Sequence, residues 1–236
     1  MKVVILAGGY GTRLAEETKI KPKPLVQIGG KPIIWHIIKI YSHYGIKDFV
    51  ICLGYKGEIL KKELEKLSIT QNWNIKYIYT GIKTMTGGRI KRIKQYLDND
   101  KYFCLSYGDG LSDVNINKVI KFHIKNKKIA TLTAVKYKNP KGILSINKKN
   151  NVTRIKEKPL EHINGGFFVL SRGIFKFLKN DRTIFENDCL PILSKKKQLM
   201  AYIHRGFWGC MDTLREKKEL NKLWNSNKKL WKVWNE

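Results

Sequence analysis

Near its N-terminus the chain reads Val3-Val4-Ile5-Leu6-Ala7-Gly8-Gly9-Tyr10-Gly11-Thr12-Arg13, an apolar run that leads directly into a glycine-rich turn. Glycines let main-chain N–H groups approach phosphate oxygens closely, and nearby cations add charge where phosphate charge is densest. Arg13 is one such cation, and Lys23 in Lys21-Pro22-Lys23-Pro24 is another. We therefore interpret this stretch as a strand followed by a loop that holds a triphosphate.

Two familiar phosphate-binding patterns do not describe this loop. No Gly-Lys-Ser/Thr closes it as in a Walker A sequence, and the glycines at positions 8, 9 and 11 lack the third glycine of the dinucleotide fingerprint. On the glycines alone, a tight strand-to-helix turn without a ligand stays open as the alternative. The adjoining Thr12-Arg13 and Lys21-Pro22-Lys23-Pro24 favour phosphate binding.

Length and composition are those of a globular protein. The 236 residues, 42% of them hydrophobic, are enough to bury a full core, and no apolar run approaches the ~20 residues needed to cross a bilayer. The short apolar stretch before Gly8 is typical of a strand and not of a secretory signal, so we expect a cytoplasmic protein without a membrane partner. Cys52 and Cys104 lie in apolar runs, which predicts buried thiols rather than a zinc site or a disulfide framework.

The formal net charge is +28 at pH 7, which by itself favours nucleic acid, a membrane surface or a polyanionic ligand as the partner. The lysines are spread over nearly every segment, and this diffuse pattern indicates compositional drift rather than a docking surface. No helix carries a recognisable nucleic-acid docking motif, and no aromatic-basic repeat marks a base-stacking platform. We therefore expect no nucleic-acid partner, and a basic nucleic-acid-binding protein stays the alternative from another functional class.

Strands and helices alternate over the first part of the chain. We predict strands at residues 2–6, 48–53, 74–79, 101–107 and 129–136, and helices from Lys31-Pro32 onward and at residues 56–67, 87–97 and 115–127. This alternation of strands and helices predicts an α/β fold with a mostly parallel, Rossmann-like sheet flanked by helices.

The second part of the chain changes character. We predict short strands at residues 141–146 and 152–156, an apolar strand at 165–170, and helices at 173–178, 185–195 and 213–224. No linker, repeat or low-complexity segment separates the two parts. The sequence therefore predicts a single domain, residues 1–236, with a small added β lobe.

Two carboxylates are candidates for a metal site. In open α/β sheets, ligands bind beyond the carboxyl ends of the strands, where the glycine loop and Tyr107-Gly108-Asp109-Gly110 both fall. Asp212 is the second candidate, and two carboxylates holding Mg²⁺ beside a triphosphate are the usual arrangement of hard ligands. A turn role for Asp109 and a helix N-cap role for Asp212 are the structural alternatives for each residue alone.

Taken together, the motifs resemble those of the sugar-phosphate nucleotidyltransferases, over nearly the whole chain. Besides the motifs above, the resemblance rests on Gly29-Gly30-Lys31-Pro32-Ile33, Glu157-Lys158-Pro159 and Asn164-Gly165-Gly166-Phe167. It is closest to the glucose-1-phosphate cytidylyltransferase branch, which shares Trp35-His36, Gly54-Tyr55-Lys56-Gly57, Met85-Thr86-Gly87-Gly88-Arg89 and Met211-Asp212-Thr213-Leu214.

The resemblance implies a reaction in which CTP and a phosphate monoester give a CDP-linked product and pyrophosphate, in the service of surface polysaccharide synthesis. It implies Mg²⁺ as cofactor and a homo-oligomer as the assembled form. Residues 1–135 would mainly bind the nucleotide, and residues 136–236 would mainly bind the acceptor and supply C-terminal helices. The same reaction with dTTP or UTP and a hexose 1-phosphate stays an alternative.

The resemblance also implies roles for individual residues. Arg13 and Lys23 would be catalytic, and Lys23 would neutralise charge at the α-phosphate and the attacking oxygen. Asp109 and Asp212 would hold Mg²⁺. The nucleotide-binding residues would be Leu6, Ala7, Gly8, Gly9, Gly11, Thr12, Arg13, Lys23, Thr86, Gly87, Gly88, Arg89, Gly108 and Asp109. The acceptor-binding residues would be Gly142, Glu157, Lys158, Asn164 and Gly165, for which a solvated strand end at Glu157-Lys158 and a bulge at Asn164-Gly165-Gly166 are the structural alternatives.

The chain departs from the family pattern in the acceptor half and in segments used for assembly. Residues 67–84 and 159–163 are shortened, Asn139-Pro140-Lys141-Gly142 keeps only the glycine of an Arg-Phe-Gly motif, and Gly209-Cys210 replaces Gln-Pro. The nucleotide half is largely intact. We therefore expect CTP use and metal chemistry, while the acceptor is left open between glucose 1-phosphate, another sugar phosphate and a non-sugar phosphate.

Overall fold

The computed structural model describes residues 1–138, 141–226 and 228–235. Their strands, in chain order, are β1 (Val3–Leu6), β2 (Gln27–Ile28), β3 (Lys31–Pro32), β4 (Asp48–Leu53), β5 (Asn74–Tyr79), β6 (Tyr102–Tyr107), β7 (Gly110–Ser112), β8 (Ala130–Lys138), β9 (Ile143–Ile146), β10 (Val152–Lys156), β11 (Leu160–Ser171), β12 (Leu199–His204) and β13 (Trp208–Cys210). The helices are α1 (Ala15–Thr18), α2 (Ile33–His43), α3 (Gly57–Ser68), α4 (Thr86–Arg92), α5 (Ile116–Asn126), α6 (Leu190–Lys195) and α7 (Leu214–Asn225).

Seven of these strands form the central sheet, in the order β12-β8-β11-β6-β1-β4-β5. β1 runs parallel to β4 and β6, and β5 and β12 are parallel to their neighbours β4 and β8. Only β11 runs against the strands beside it in this sheet, since it pairs antiparallel with β6 and β8. The predicted α/β fold with a mostly parallel sheet is confirmed, and the β9–β10 hairpin forms a small antiparallel sheet beside it.

The first strand shows why the sheet is buried on both faces. Val3 and Ile5 point into one apolar cluster, where they meet helix α2, whereas Val4 points into a second cluster on the other side with Val50 and Leu105. Successive side chains of a strand point to opposite faces, so an unbroken apolar run suits a strand covered by helices on both sides. This arrangement leaves the carboxyl end of β1, where the glycine loop begins, at the edge of the core.

Several predicted elements differ in detail. The helix predicted at residues 87–97 ends as α4 at Arg92 and is followed by a 3₁₀ turn at Lys94–Leu97. The helix predicted at 173–178 is a 3₁₀ helix, Arg172–Phe177, and the helix predicted at 185–195 begins as a π-helical turn, Phe185–Cys189. The strand predicted at 165–170 is longer, because β11 continues back to Leu160 along β8. Asn139-Pro140 lies outside the described residues.

The C-terminal tryptophans pack on the protein itself. Trp231 and Trp234 are buried, and both lie beside the imidazole ring of His36 in helix α2. Trp231 Nε1 donates to His36 Nδ1 at 3.3 Å, so the other ring nitrogen, Nε2, carries the proton and donates to the Ile28 carbonyl at 2.9 Å. Burial lowers the pKa of His36 to about 4. These contacts hold the C-terminal segment against helix α2.

Cys52 and Cys104 are buried free thiols, as predicted, and burial raises the pKa of both to about 12. Cys189 is also buried, and Cys210 is half-buried. Among the described residues, none of the helices has both the length and the apolar character that a bilayer-spanning segment requires.

Candidate active site

The glycine loop is fixed between two neighbouring strand ends. Ala7 N donates to the Cys52 carbonyl and Tyr55 N donates to the Gly8 carbonyl, both at 3.1 Å, so the loops after β1 and β4 are joined. A side chain on Gly8 would meet the Arg89 guanidinium at 2.1 Å, and Gly11 adopts a φ of 65° where it begins the short helical turn at Thr12–Leu14. Glycine is needed at the first position for close approach and suits the second because left-handed backbone is strained for other residues.

A cavity of about 330 Å³ opens between this loop and the end of β6. Its lining includes ten of the predicted nucleotide-binding residues, namely Leu6, Ala7, Gly9, Gly11, Thr12, Arg13, Lys23, Thr86, Gly108 and Asp109. Gly8 and Arg89 line an adjoining cavity of about 360 Å³, together with Tyr10, Ile82, Lys83, Thr84 and Met85. We refer to these two spaces as the phosphate cavity and the side cavity.

Four charged side chains meet at the mouth of the phosphate cavity. Lys23 Nζ donates to Asp109 Oδ2 and to Asp212 Oδ1, each at 2.6 Å, and Arg13 Nη1 donates to Asp212 Oδ2 at 2.8 Å. We call these four residues the charge cluster. Burial alone would lower the pKa of Lys23, but its ion pairs with Asp109 and Asp212 outweigh burial and raise that pKa above the ordinary value. The ammonium therefore stays charged.

The two carboxylates are brought together by a pair of short strands. β7 follows Asp109 and β13 precedes Asp212, and these strands pair antiparallel with Gly110 opposite Cys210. Met211 N also donates to the Asp109 carbonyl at 2.9 Å. Main-chain pairing on both sides thus places two aspartates that are far apart in sequence within reach of one lysine ammonium.

Glu216 holds the main chain at Asp212, and it is absent from the residues predicted above. Its Oε2 accepts from the backbone N–H groups of Asp212 and Thr213, both at 2.8 Å, and Thr213 Oγ1 accepts from Glu216 N at 3.3 Å. The N-cap of α7 is therefore Thr213 and not Asp212, so the Asp212 carboxylate faces the charge cluster. A threonine followed three positions later by glutamate is a capping-box sequence, which is the signal that predicts this contact.

A third cavity of about 430 Å³, the acceptor-side cavity, shares Arg13 and Asp109 with the phosphate cavity. Its lining also includes Tyr107, Gly110, Tyr137, Ile163, Asn164, Gly165, Gly166, Trp208, Cys210, Asp212, Thr213 and Glu216. The predicted acceptor residues Asn164 and Gly165 are thus beside the charge cluster. β11 is also irregular here, with a φ of 78° at Gly166. The bulge named above as the structural alternative is therefore present, and the same residues form part of the cavity wall.

The other predicted acceptor residues lie elsewhere. Gly142, Glu157 and Lys158 are exposed, flank the two strands of the β9–β10 hairpin, and are not among the residues that line the acceptor-side cavity. The exposure of Glu157 and Lys158 matches the solvated strand end named above as their structural alternative. Their role in acceptor binding stays a prediction.

Glu186 links the phosphate and acceptor-side cavities and is also absent from the predicted residues. Thr86 Oγ1 donates to Glu186 Oε2 at 2.7 Å, and the Tyr107 hydroxyl donates to Glu186 Oε1. Asn164 Nδ2 donates in turn to the Tyr107 hydroxyl at 3.3 Å. Burial, reinforced by the negative charge of Glu186, raises the pKa of Tyr107, so the hydroxyl keeps its proton. No local motif marks Glu186, because its partners are 79 and 100 residues away.

Arg89 lies behind the glycine loop and is 4% exposed. Its guanidinium donates to the carbonyl oxygens of Gly8, Leu53 and Gly81 at 2.9, 3.1 and 2.8 Å, and to Thr80 Oγ1 at 2.7 Å. Burial lowers its pKa from the ordinary arginine value. These contacts tie the loop to the ends of β4 and β5, whereas contact with a nucleotide stays a prediction.

Gly87 and Gly88 lie in the first turn of α4 and line none of the three cavities described above. Their N–H groups donate to the Thr183 carbonyl at 2.9 and 3.2 Å, and side chains at both positions would overlap the chain at residues 181–183. The two glycines therefore let a neighbouring loop pack against α4, and their predicted nucleotide contacts stay untested.

Asp109 and Asp212 are the residues that could hold a divalent metal. One oxygen of each lies 2.6 Å from the same ammonium, so the two carboxylates face a common point. The described residues include no group of three or more His, Cys, Asp or Glu side chains arranged for a metal. Mg²⁺ is commonly held by only one or two carboxylates plus substrate phosphates, so this pair suits an ion that binds together with a triphosphate.

The chain is similar over its length to known proteins. The family described as "Nucleotidyl transferase" matches residues 2–225. The chain is 45% identical to "Glucose-1-phosphate cytidylyltransferase" of Salmonella typhimurium, with 99% of this chain and 100% of the relative covered. It is 40% identical, with the same coverage, to "Probable glucose-1-phosphate cytidylyltransferase" of Bacillus subtilis. The crystal structure of HddC from Yersinia pseudotuberculosis superimposes with a TM-score of 0.77 at 26% identity, over 95% of this chain and 99% of that one.

Proposed function

Because the chain belongs to the nucleotidyl transferase family, we propose that it joins the CMP part of CTP to a phosphate monoester and releases pyrophosphate. The observation that carries this proposal is the charge cluster, which lies where the phosphate and acceptor-side cavities meet. Similarity over the whole chain to two relatives named as glucose-1-phosphate cytidylyltransferases supports CTP as donor and a sugar 1-phosphate as acceptor.

In the proposed reaction an oxygen of the acceptor phosphate attacks the α-phosphorus of CTP in line. A bond forms between that oxygen and the α-phosphorus, the bond to the β-phosphate oxygen breaks, and pyrophosphate leaves with the electron pair. No side chain needs to become covalently attached, so positioning and charge neutralisation carry the catalysis. The glycine loop would hold the triphosphate by its N–H groups, and Arg13 and Lys23 would neutralise charge near the α-phosphate.

Mg²⁺ is part of the proposal, with Asp109 and Asp212 as the residues that would hold it. When bound there, the ion would neutralise phosphate charge and help to orient the triphosphate. We expect EDTA to remove activity and added Mg²⁺ to restore it, while the far-UV circular dichroism spectrum stays the same. Full activity after chelation and desalting would show that the reaction needs no divalent ion.

This scheme assigns nucleotide binding and acceptor binding to different parts of the chain. Residues 1–135 would mainly hold the nucleotide and residues 136–236 would mainly bind the acceptor, within one domain. The side cavity is the place for the base, because it adjoins the phosphate cavity at Leu6, Gly9 and Thr86. We also propose a cytoplasmic location and a role in surface polysaccharide synthesis, where nucleotide-linked sugars are consumed.

The substrates are tested by combining CTP, dTTP, UTP, ATP and GTP with a panel of phosphate monoesters. The panel includes glucose 1-phosphate, other hexose 1-phosphates and non-sugar phosphates, and released pyrophosphate is the readout. We expect release with CTP and a sugar 1-phosphate, and a CDP-linked product in the mass spectrum. Faster turnover with dTTP or UTP would support the alternative donor, and Asp109→Asn protein serves as the inactive control.

We further propose that the protein is a homo-oligomer in which a second copy covers the β9–β10 hairpin. Six large apolar side chains on and beside the hairpin are exposed, namely Ile143, Leu144, Ile146, Val152, Ile155 and Leu160. A soluble monomer seldom exposes so many neighbouring apolar side chains. Light scattering coupled to size-exclusion chromatography should give a multiple of 27.5 kDa, and Ile155→Lys should shift the mass toward the monomer. A wild-type mass of one chain would refute the proposal.

A further inference from the structure

Lys23 and a divalent metal would need the same carboxylate oxygens. The Lys23 ammonium is 2.6 Å from one oxygen of Asp109 and 2.6 Å from one oxygen of Asp212, and its side chain is only 13% exposed. Arg13 contacts the second oxygen of Asp212, with a side chain that is 71% exposed. Two positive and two negative charges therefore balance within the charge cluster.

Main-chain pairing of β7 and β13 brings the two aspartates near each other, and a cation between their carboxylates stabilises this arrangement. Two carboxylates this near each other repel strongly in a partly buried site, and an ammonium that hydrogen-bonds to both offsets the repulsion. Mg²⁺ binds oxygen at about 2.0–2.1 Å, so an ion on these oxygens would stand next to the ammonium and repel it. The metal and the Lys23 ammonium therefore compete for the pair.

Lys23 has a second set of partners within reach once it leaves the carboxylates. The residue lines the phosphate cavity, where the triphosphate would lie, as do Arg13 and Asp109. Phosphate oxygens would replace the carboxylates as acceptors for the ammonium, and the metal would replace the ammonium on the carboxylates. Each anionic group thus keeps a cation beside it at each stage, which favours joint arrival of metal and nucleotide over arrival of the metal alone.

We propose that Lys23 acts as the internal counterion of the metal site, which holds Asp109 and Asp212 together in the nucleotide-free protein and opposes binding of a divalent metal on its own. This inference rests on the proposed function, since it takes Asp109 and Asp212 as the metal ligands. It gives Lys23 two roles, one toward the carboxylates before CTP binds and one toward the phosphates afterwards. A consequence is that free metal binds weakly while metal and CTP strengthen each other's binding.

The test measures Mn²⁺ binding to the nucleotide-free protein. The electron paramagnetic resonance signal of unbound Mn²⁺ is the readout. Lys23→Met should bind Mn²⁺ at least tenfold more tightly than wild type, because a neutral side chain of similar length no longer competes. Lys23→Arg should resemble wild type, since it keeps the charge. Arg13→Met should give a smaller gain, because Arg13 contacts one carboxylate of the pair, Asp212, and is mostly exposed.

Lys2→Met is the matched control. Lys2 Nζ lies 2.6 Å from Asp100 Oδ2, the same distance as in the ion pairs of Lys23. The variant therefore removes one lysine charge and one comparable ion pair outside the charge cluster. Its Mn²⁺ affinity should equal that of wild type. If Lys23→Met binds Mn²⁺ no more tightly than Lys2→Met, the counterion role is wrong. Lys23→Gln provides a second neutral variant if thermal melting shows that Lys23→Met does not fold.

Failure of this inference can be distinguished from failure of the proposed metal site. Asp109→Asn and Asp212→Asn, each introduced into the Lys23→Met protein, should weaken Mn²⁺ binding. If they do so while Lys23→Met alone gives no gain, the two aspartates bind metal and only the role of Lys23 is refuted. If the Asn variants leave Mn²⁺ binding unchanged, the metal ligands in the proposed function are wrong as well.

Discussion

Lys23 is the side chain on which most of the proposed chemistry converges. It lines the phosphate cavity and contacts both aspartates of the charge cluster. A short 3₁₀ turn over Lys23–Leu25, entered from Pro22, fixes its backbone, and Pro24 lines the cavity next to it. A single residue thus connects the acidic pair to the space predicted for the nucleotide.

Lys23→Met should lower kcat by ~100-fold to 1,000-fold, the effect typical of removing one charge-stabilising donor from a transition state. KM for CTP should change much less, because the ammonium acts mainly on charge that develops during the reaction. Steady-state pyrophosphate release and a thermal melt of the same preparation check this prediction. Turnover close to wild type in a folded variant would contradict it.

Structural support of the glycine loop and direct contact with the nucleotide are two roles of Arg89 that predict different effects of mutation. In the contacts described above, its guanidinium donates to backbone carbonyls and to Thr80, so Arg89→Lys should leave several buried acceptors unpaired. The free energy of unfolding should fall by about 1–3 kcal/mol in urea titrations, because a lysine ammonium cannot reproduce the guanidinium fork. Unchanged stability with a raised KM for CTP would instead favour the direct nucleotide contact predicted from sequence.

At the level of elements, the β7–β13 pair and the start of α7 determine where the aspartates stand. Neither β7 nor β13 was among the predicted strands, since three-residue strands carry no clear alternation of apolar and polar residues. β12 was also unpredicted, because it is a half-buried edge strand without a strong pattern. The glycine loop and Asp109 were predictable because each closely follows an apolar strand, β1 or β6, whose carboxyl end faces the site.

Glu216→Ala should affect both helix stability and the metal site. Thr213 stays as the N-cap, but the backbone N–H groups of Asp212 and Thr213 lose the Glu216 carboxylate as acceptor, which costs about 1 kcal/mol for each hydrogen bond lost. We expect Mn²⁺ binding in the presence of CTP to weaken several-fold. Asn115→Ala is the control, because Asn115 caps α5 through a 2.9 Å bond to Lys118 N and lines none of the three cavities. Equal metal affinity in the two variants would limit Glu216 to a structural role.

For the whole molecule, two buried histidines make stability depend on pH. His36 lies among the C-terminal tryptophans, and His123 hydrogen-bonds to Thr131 Oγ1 and Ser171 Oγ at 2.9 and 3.0 Å. Burial lowers both pKa values to about 4. The folded protein therefore keeps two neutral imidazoles over a pH range in which the unfolded chain already binds protons.

The free energy of unfolding should thus be highest above pH 6.5 and fall as the pH drops from 6.5 toward 4. Below 6.5 only the unfolded state binds these protons, which lowers stability by about 1.4 kcal/mol per pH unit for each histidine. Carboxylates with lowered pKa values, such as Asp100, add to the loss only near the lower end of the range. Urea denaturation of wild type and His123→Gln should show a shallower pH slope for the variant, and equal slopes would contradict the assignment.

The α/β architecture of the whole molecule was predicted well from the sequence, whereas the cavity linings were predicted less completely. Alternating apolar runs define the layers, and motif residues at strand ends define the phosphate cavity. Glu186 acts through tertiary contacts, so the chain carries no local sign of its position beside the site. Glu216 acts through a local capping box, which the spacing from Thr213 indicates. Gly142, Glu157 and Lys158 were placed by resemblance alone, and they lie on the exposed hairpin.

The most direct test of the central proposal is the fate of labelled phosphorus from CTP. With Mg²⁺ and the accepted sugar 1-phosphate, label at the α-position should appear in a CDP-linked sugar and label at the γ-position should appear only in pyrophosphate. Asp109→Asn protein should produce neither. Label from the γ-position in the acceptor or in inorganic phosphate, or no transfer of α-label to any acceptor tested, would contradict nucleotidyl transfer.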